Sequence, residues 1–157
     1  MANVLIKITL NGNKNIIDVI GTVDENFFQS VSAIPTKGEL EFSLQGLKSI
    51  NSTGIREWIR LMQNLGQATV SFINCPKIFI DQVNMVSGFI PSHAKVSSFY
   101  VPYYNEDLDK EVLVLYKLGE NYTYNSVQIQ EIHKNPEGVE FEIDVVKTKY
   151  FKFIQPN

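Results

Sequence analysis

A change of hydrophobic period at residues 51–54 constrains this chain more than any other feature of its sequence. A strand-like run precedes it, and beyond it apolar residues recur at the spacing of an α-helix while polar residues fill the opposite face. The apolar positions of this helical stripe are Ile55, Trp58, Ile59, Met62 and Leu65. Asn51, Ser52 and Thr53 can accept hydrogen bonds from free helix amides, and Gly66 follows the stripe. The sequence therefore predicts an amphipathic helix that begins at a polar turn and buries its stripe.

Strand patterns surround this helix. The predicted strands are Val4–Leu10, Ile16–Val23, Glu39–Leu44, Ala68–Ile73 and Ala94–Phe99. The turn Asn11-Gly12-Asn13 favours an antiparallel hairpin between the first two, because Asn-Gly supplies the positive φ angles of tight turns.

Two further helices complete the pattern. One is predicted at Glu25–Ala33, capped by Asp24, and the other follows Pro76. In the second helix Gln82 and Asn84 are expected to face outward. The order β-β-α-β-α-β-α-β predicts an α/β domain over residues 1–99.

The composition shifts near Tyr100. The run V-P-Y-Y-N-E-D-L-D-K is interpreted as a linker or turn, and a second, β-rich unit is predicted for residues 100–157. Its predicted strands are Val112–Leu118, Tyr122–Ile129, Val139–Ile143 and Tyr150–Ile154. A unit of about 55 residues builds a poor core alone, so it should dock on the first domain.

The run I-N-S-T-G-I at Ile50–Ile55, with the helix and strand that follow it, resembles the switch segment of STAS domains, the family of anti-sigma-factor antagonists. The resemblance implies a mixed β-sheet backed by helices. In the bacterial antagonists the segment reads Asp-Ser-Ser/Thr-Gly and a partner kinase phosphorylates the first serine, whose position is taken here by Ser52. Asn51 stands where the family has Asp, so the role of that carboxylate does not carry over.

The tail resembles a zinc ribbon that has lost its metal ligands. Its F-Y-V-P-Y-Y run and its E-F-E-I-D…K-Y-F ending match the ribbon of some bacterial STAS-like proteins. Asn105 and Leu108 occupy the places of the first cysteine pair, and the second pair is missing near Ile132–Pro136. A tetrahedral zinc site needs four ligands and His133 is the only candidate, so we expect no metal and a unit stabilised by buried Tyr and Phe.

Composition argues against several other classes. The formal charge of −3 and pI near 5.4 favour neither nucleic acid nor an anionic membrane as partner. We find neither an apolar run of membrane-spanning length nor the pattern of a signal peptide, and we expect a cytoplasmic protein.

The single cysteine, Cys75, is interpreted as a core thiol, and His93 and His133 lie too far apart in sequence to suggest a catalytic pair. Phosphate-binding and hydrolase motifs are missing as well, so we expect no cofactor and no enzymatic activity.

Three hypotheses follow. The first is a signalling module that binds a protein partner, such as a kinase or anti-sigma-type regulator, and is switched by phosphorylation of Ser52. Its predicted binding residues are Asn51, Thr53, Gly54, Arg56 and Arg60. The second is an interaction scaffold of the same fold without phosphorylation, in which Ser52 or Thr53 only caps the helix. The third is an enzyme or a small-ligand-binding protein, which requires a pocket with convergent polar groups.

Overall fold

Two β-sheets and three α-helices make up the part of the chain, residues 3–154, that the computed structural model describes. The strands are β1 Val4–Asn11, β2 Lys14–Val23, β3 Lys37–Ser43, β4 Leu47–Ile50, β5 Gln67–Ile73, β6 Lys95–Val96, β7 Ser98–Asn105, β8 Lys110–Lys117, β9 Ile132–Lys134 and β10 Glu140–Ile143. The helices are α1 Ser52–Gln63, α2 Lys77–Met85 and α3 Lys147–Tyr150, with 3-10 turns at Phe27–Ser30 and Lys152–Ile154. The outer ends of the two predicted domains, residues 1–2 and 155–157, lie outside the described residues.

The first sheet is mixed and contains six strands in the order β1-β2-β3-β5-β6, with β4 paired to β2. The predicted hairpin is confirmed: β1 and β2 are antiparallel, and Gly12 adopts φ 64° in the turn between them. The other pairings are parallel. The first half of β2 pairs with β3, and its last three residues pair with β4. The register between β2 and β4 shifts after Gly21. The α/β class is therefore confirmed.

Helices α1 and α2 cover one face of this sheet around Trp58. Of the predicted stripe, Trp58, Met62 and Leu65 are buried and Ile55 and Ile59 are partly buried; Leu61, which the prediction did not include, is buried as well. The indole lies within 6.1 Å, centroid to centroid, of five phenylalanine rings, those of Phe27, Phe42, Phe72, Phe79 and Phe89. Its Nε1 donates to the Phe89 carbonyl at 2.9 Å. Trp58 is thus a core residue that joins both helices to the sheet.

The second sheet is antiparallel, in the order β8-β7-β10-β9. The run interpreted above as a linker or turn provides the second half of β7, and for that half the interpretation is wrong: Val101 and Tyr103 are buried in the strand, whereas residues 106–109 do form a turn. The predicted domain boundary at residue 99 consequently falls inside a strand. Backbone hydrogen bonds from Cys75 to Ser98 and from Tyr100 to Cys75, at 3.2 and 2.9 Å, tie the start of β7 to the end of β5.

Four predicted elements differ from the structure. Tyr122–Ile129 forms only isolated bridges, because a tight turn from Thr123 to Ser126 interrupts it. Tyr150–Ile154 is helical at both ends and not a strand, and Glu25–Ala33 contains only the 3-10 turn. Ala94–Phe99 is divided between β6 and β7.

One predicted orientation on α2 is also wrong. The side chain of Asn84 was expected in solvent but donates from Nδ2 to the Tyr150 carbonyl at 2.9 Å. Helix α2 therefore contacts α3 through a hydrogen bond. The longest helix has 12 residues, and no helix between residues 3 and 154 combines the length and hydrophobicity needed to cross a bilayer.

Candidate functional site

The polar turn between β4 and α1 is held by Asn51. Its Oδ1 accepts a hydrogen bond from the Gly54 amide at 2.7 Å, and its own amide donates to the Val23 carbonyl at 3.1 Å. Its backbone is extended, with φ −89° and ψ 174°, as is usual for the residue that caps a helix. The interpretation of Ser52 or Thr53 as the cap is therefore wrong, because Asn51 fills that position.

Ser52 and Thr53 form the exposed first turn of α1. The Ser52 hydroxyl has no hydrogen-bond partner among residues 3–154, since the cap bond comes from Asn51 instead. The first turn also contains no acidic residue, so the positive end of the helix dipole is not offset by a carboxylate of the helix itself. The predicted phosphorylation site is thus an accessible hydroxyl at a helix start that favours added negative charge.

Gly54 is buried beneath this turn and holds α1 against β2. A Cβ placed there would lie 2.0 Å from the Val23 carbonyl oxygen. Only glycine fits so close to another backbone. Within the predicted binding set, Gly54 therefore positions the turn, whereas Asn51 and Thr53 are exposed beside it.

A second loop, residues 24–26, lies beside the turn and was not included in the predicted site. The Nδ2 of Asn51 donates to Glu25 Oε2 at 3.4 Å. Asp24 is buried and accepts from Asn3 Nδ2 at 2.7 Å and from the Asn26 amide at 2.9 Å. These hydrogen bonds, chiefly the one from Asn3, hold the pKa of the Asp24 carboxyl below its usual value. The loop brings an exposed carboxylate, Glu25, next to the Asn51 side chain.

The two predicted arginines lie on the exposed face of α1 and differ in their contacts. The guanidinium of Arg60 lies over the Phe28 ring, 4.0 Å from its centroid, and 3.8 Å from Glu57 Oε2. Arg56 is exposed and has no carboxylate within 4.0 Å in the part of the chain that the structure describes. Arg56 follows Ser52 by four residues, so the two side chains share a face of the helix. Arg56 is therefore the available cation next to the serine.

The places of the missing zinc ligands in the tail have structural roles. Asn105 donates from Nδ2 to the Glu140 carbonyl at 2.9 Å and accepts at Oδ1 from the Leu108 amide at 2.8 Å. No group of three or more His, Cys, Asp or Glu side chains within residues 3–154 is arranged to hold a metal ion. The two histidines stay apart: His93 contacts the Ala68 carbonyl, and the His133 ring packs on Tyr103.

Cys75 lies in the core as expected, where burial raises the pKa of its thiol and leaves it a poor nucleophile.

The chain matches no protein-family model, and no curated protein matches it significantly. A function is therefore proposed from the turn and α1 themselves.

Proposed function

We propose that this protein is a non-enzymatic signalling module of the STAS type that binds a protein partner through the turn surface, defined as Asn51, Ser52, Thr53, Arg56 and Arg60. Phosphorylation of Ser52 switches that binding. The I-N-S-T-G-I run, the antiparallel opening hairpin and a strand–turn–helix unit on a mixed sheet support the resemblance to anti-sigma-factor antagonists.

The observation that carries the proposal is that Asn51, and not Ser52, caps α1. The Ser52 hydroxyl is therefore exposed and unpaired among the described residues. A phosphoryl group can be added there without breaking a hydrogen bond of the fold. The modification would therefore change the surface and leave the structure beneath it intact.

The charge of the turn surface explains how phosphate could act as a switch. Unmodified, the surface presents Arg56 and Arg60 and suits an acidic partner. A phosphoserine carries a charge of about −1.5 to −2 and accepts strong hydrogen bonds from arginine. At position 52 it would face Arg56 one helical turn away and compete with the partner's carboxylates for that cation.

Partner binding by charge variants tests this proposal. The wild-type chain, Ser52→Ala and Ser52→Asp are used to recover the partner from the native host, and the affinity of the purified partner is then measured by calorimetry. We expect Ser52→Ala to bind like wild type and Ser52→Asp to bind about tenfold or more weakly, a difference of about 1.4 kcal/mol. Ser126→Asp, an equally exposed serine in the tail, is the matched control and should bind normally. Equal affinity of Ser52→Asp and wild type would refute the switch.

A scaffold without phosphorylation is the second candidate, and Asn51 favours it. Both polar atoms of the Asn51 side chain are engaged, with Gly54 and Glu25, and no carboxylate stands at position 51. Incubation with extract of the native host and ATP separates the two functions. The switch requires a mass increase of about 80 Da, one phosphoryl group, on the peptide that contains Ser52. The scaffold requires an unchanged peptide together with partner binding through the same surface.

A further inference from the structure

A cleft separates the end of α2 from the tail on the side of the molecule formed by β6. It has a volume of about 250 Å³. Its apolar wall comes from Val83, Ile90, Leu118 and Phe153, and Tyr122 and Tyr124 add two further aromatic rings. The Tyr122 hydroxyl donates to the Val96 carbonyl, which fixes this ring between the first sheet and the tail. The cleft is therefore largely preformed and rich in aromatic surface.

Among the described residues that line the cleft, Lys95 is the only charged one. Its Nζ lies 5.9 Å from the centroid of the exposed Tyr124 ring. No carboxylate within residues 3–154 approaches Nζ closer than 4.0 Å. The cleft thus combines an apolar aromatic interior with one positive charge that has no anionic partner in the described part of the chain, and Ser92 adds a hydroxyl to the lining.

We propose that this cleft binds a small aromatic carboxylate, with the ring among Tyr122, Tyr124 and Phe153 and the carboxylate at Lys95. Aromatic walls favour a planar ring through offset or edge contacts. A single lysine complements a single negative charge, whereas a phosphate ester would call for more donors. The volume lies below the roughly 300–1,000 Å³ of sites for drug-sized ligands, so one ring fits better than a fused system or a long acyl chain. This site is independent of the turn surface and of its proposed switch.

The structure provides a spectroscopic reporter for occupancy. Ile90 of the cleft follows Phe89, whose ring stacks on Trp58 at 5.8 Å and whose carbonyl accepts the indole hydrogen bond. Trp58 is the single tryptophan of the chain. A ligand that contacts Ile90 should therefore perturb the fluorescence of Trp58 without touching it.

Phenylacetate and its neutral analogue phenylacetamide, which have nearly the same shape, test the proposal. Both are titrated into the full chain, and binding is followed by Trp58 fluorescence and by amide chemical shifts. We expect shifts centred on the amides of Ile90, Ser92 and Thr123, and an affinity for phenylacetate about three- to fivefold higher than for phenylacetamide, as for a partly exposed ion pair. Lys95→Met should abolish this preference and leave phenylacetamide binding unchanged. The control Lys7→Met, an exposed lysine on β1, should keep the wild-type preference.

Several results would overturn the proposal. Equal binding of acid and amide by wild type would remove Lys95 from recognition. Shifts that map outside the cleft, or no saturable binding of either compound, would remove the site itself. Ala94→Phe places a ring in the cleft at a partly exposed position, and undiminished phenylacetate binding by this variant would also refute the assignment.

Discussion

Asn51 is suited to its neighbours in a way that an aspartate would not be. Both residue types can accept the Gly54 amide and cap α1. Only the amide can also donate, and Asn51 Nδ2 does so to Glu25 Oε2 at 3.4 Å. An aspartate at position 51 would place two carboxylates side by side instead. The identity of residue 51 is therefore linked to the neighbouring loop, which places the Glu25 carboxylate beside it.

Gly54 is the residue of this turn least able to accept a side chain. We expect Gly54→Ala to lower the free energy of unfolding by about 2–4 kcal/mol, because its Cβ would lie 2.0 Å from a carbonyl oxygen that also accepts the Asn51 amide. Urea denaturation followed by circular dichroism measures the change. Gly66→Ala is the matched control: open space surrounds that position, and the change should be within about 0.5 kcal/mol. A Gly54→Ala variant as stable as this control would contradict the close packing of α1 on β2.

The part of the site that depends on local pattern could be predicted from sequence. Helical periodicity predicts the exposed face with Arg56 and Arg60 and places Ser52 at the helix start. Asn51 was one of three candidate acceptors at the helix start, and the choice among them needed the structure. Two features required tertiary information: that Gly54 packs on Val23, and that Glu25 lies beside the turn. Both depend on β4 pairing with the last residues of β2, which brings residues 23–25 next to residue 51.

Among the elements, prediction succeeds where one face alternates cleanly with the other. Strands β1, β2, β3 and β5 and helices α1 and α2 have such patterns, and all form near their predicted positions. In the tail, β7 was missed because Pro102 and two tyrosines look like a turn. Pro102 pairs with Leu113 of β8 but lies just outside the ladder with β10, which covers Tyr103 and Tyr104 only. A strand tolerates proline where its ladder ends.

Helix α1 is anchored mainly by Trp58. We expect Trp58→Phe to lower the free energy of unfolding by about 2–4 kcal/mol, because it leaves a void among five aromatic rings and removes the indole N–H that donates to the Phe89 carbonyl. Urea denaturation followed by far-ultraviolet circular dichroism provides the measurement. Arg56→Ala, on the exposed face of the same helix, should change stability by less than about 0.5 kcal/mol. If both variants cost the same, α1 is not held through its indole.

At the scale of the molecule, the two sheets share one hydrophobic core. Its buried residues extend from Val4 to Ile154 without a break between the predicted units. Polar contacts cross the same boundary: Asn84 donates to the Tyr150 carbonyl at 2.9 Å, and Tyr122 donates from its hydroxyl to the Val96 carbonyl. The expectation that aromatic residues stabilise the tail agrees with the rings of Tyr116, Tyr122, Tyr150 and other residues around Phe99.

A shared core predicts that residues 1–99 do not fold alone. Truncation after residue 99 exposes side chains that the tail covers, among them Phe99 and Val96, and the burial of each large apolar side chain contributes about 1.5–3 kcal/mol. The combined loss approaches the roughly 5–15 kcal/mol that stabilises an ordinary domain. We expect the fragment to show no cooperative urea transition, whereas the full chain unfolds in one step. A cooperative transition of the fragment with a native-like circular dichroism spectrum would establish residues 1–99 as an independent domain.

The position of β7 in the sequence also affects when the hydrophobic core can be completed during synthesis. As the polypeptide leaves the ribosome, β1 to α2 emerge before β7. They do not supply the rings that cover the aromatic side of β7. That cover includes Tyr150 and Phe151, which pack on Phe99 from more than 50 positions later in the sequence. Contacts of such long sequence separation form late and slowly. The nascent chain therefore exposes the aromatic residues of β7 until residues 147–154 have been synthesised. During that interval it depends on dilution or on chaperones to avoid aggregation.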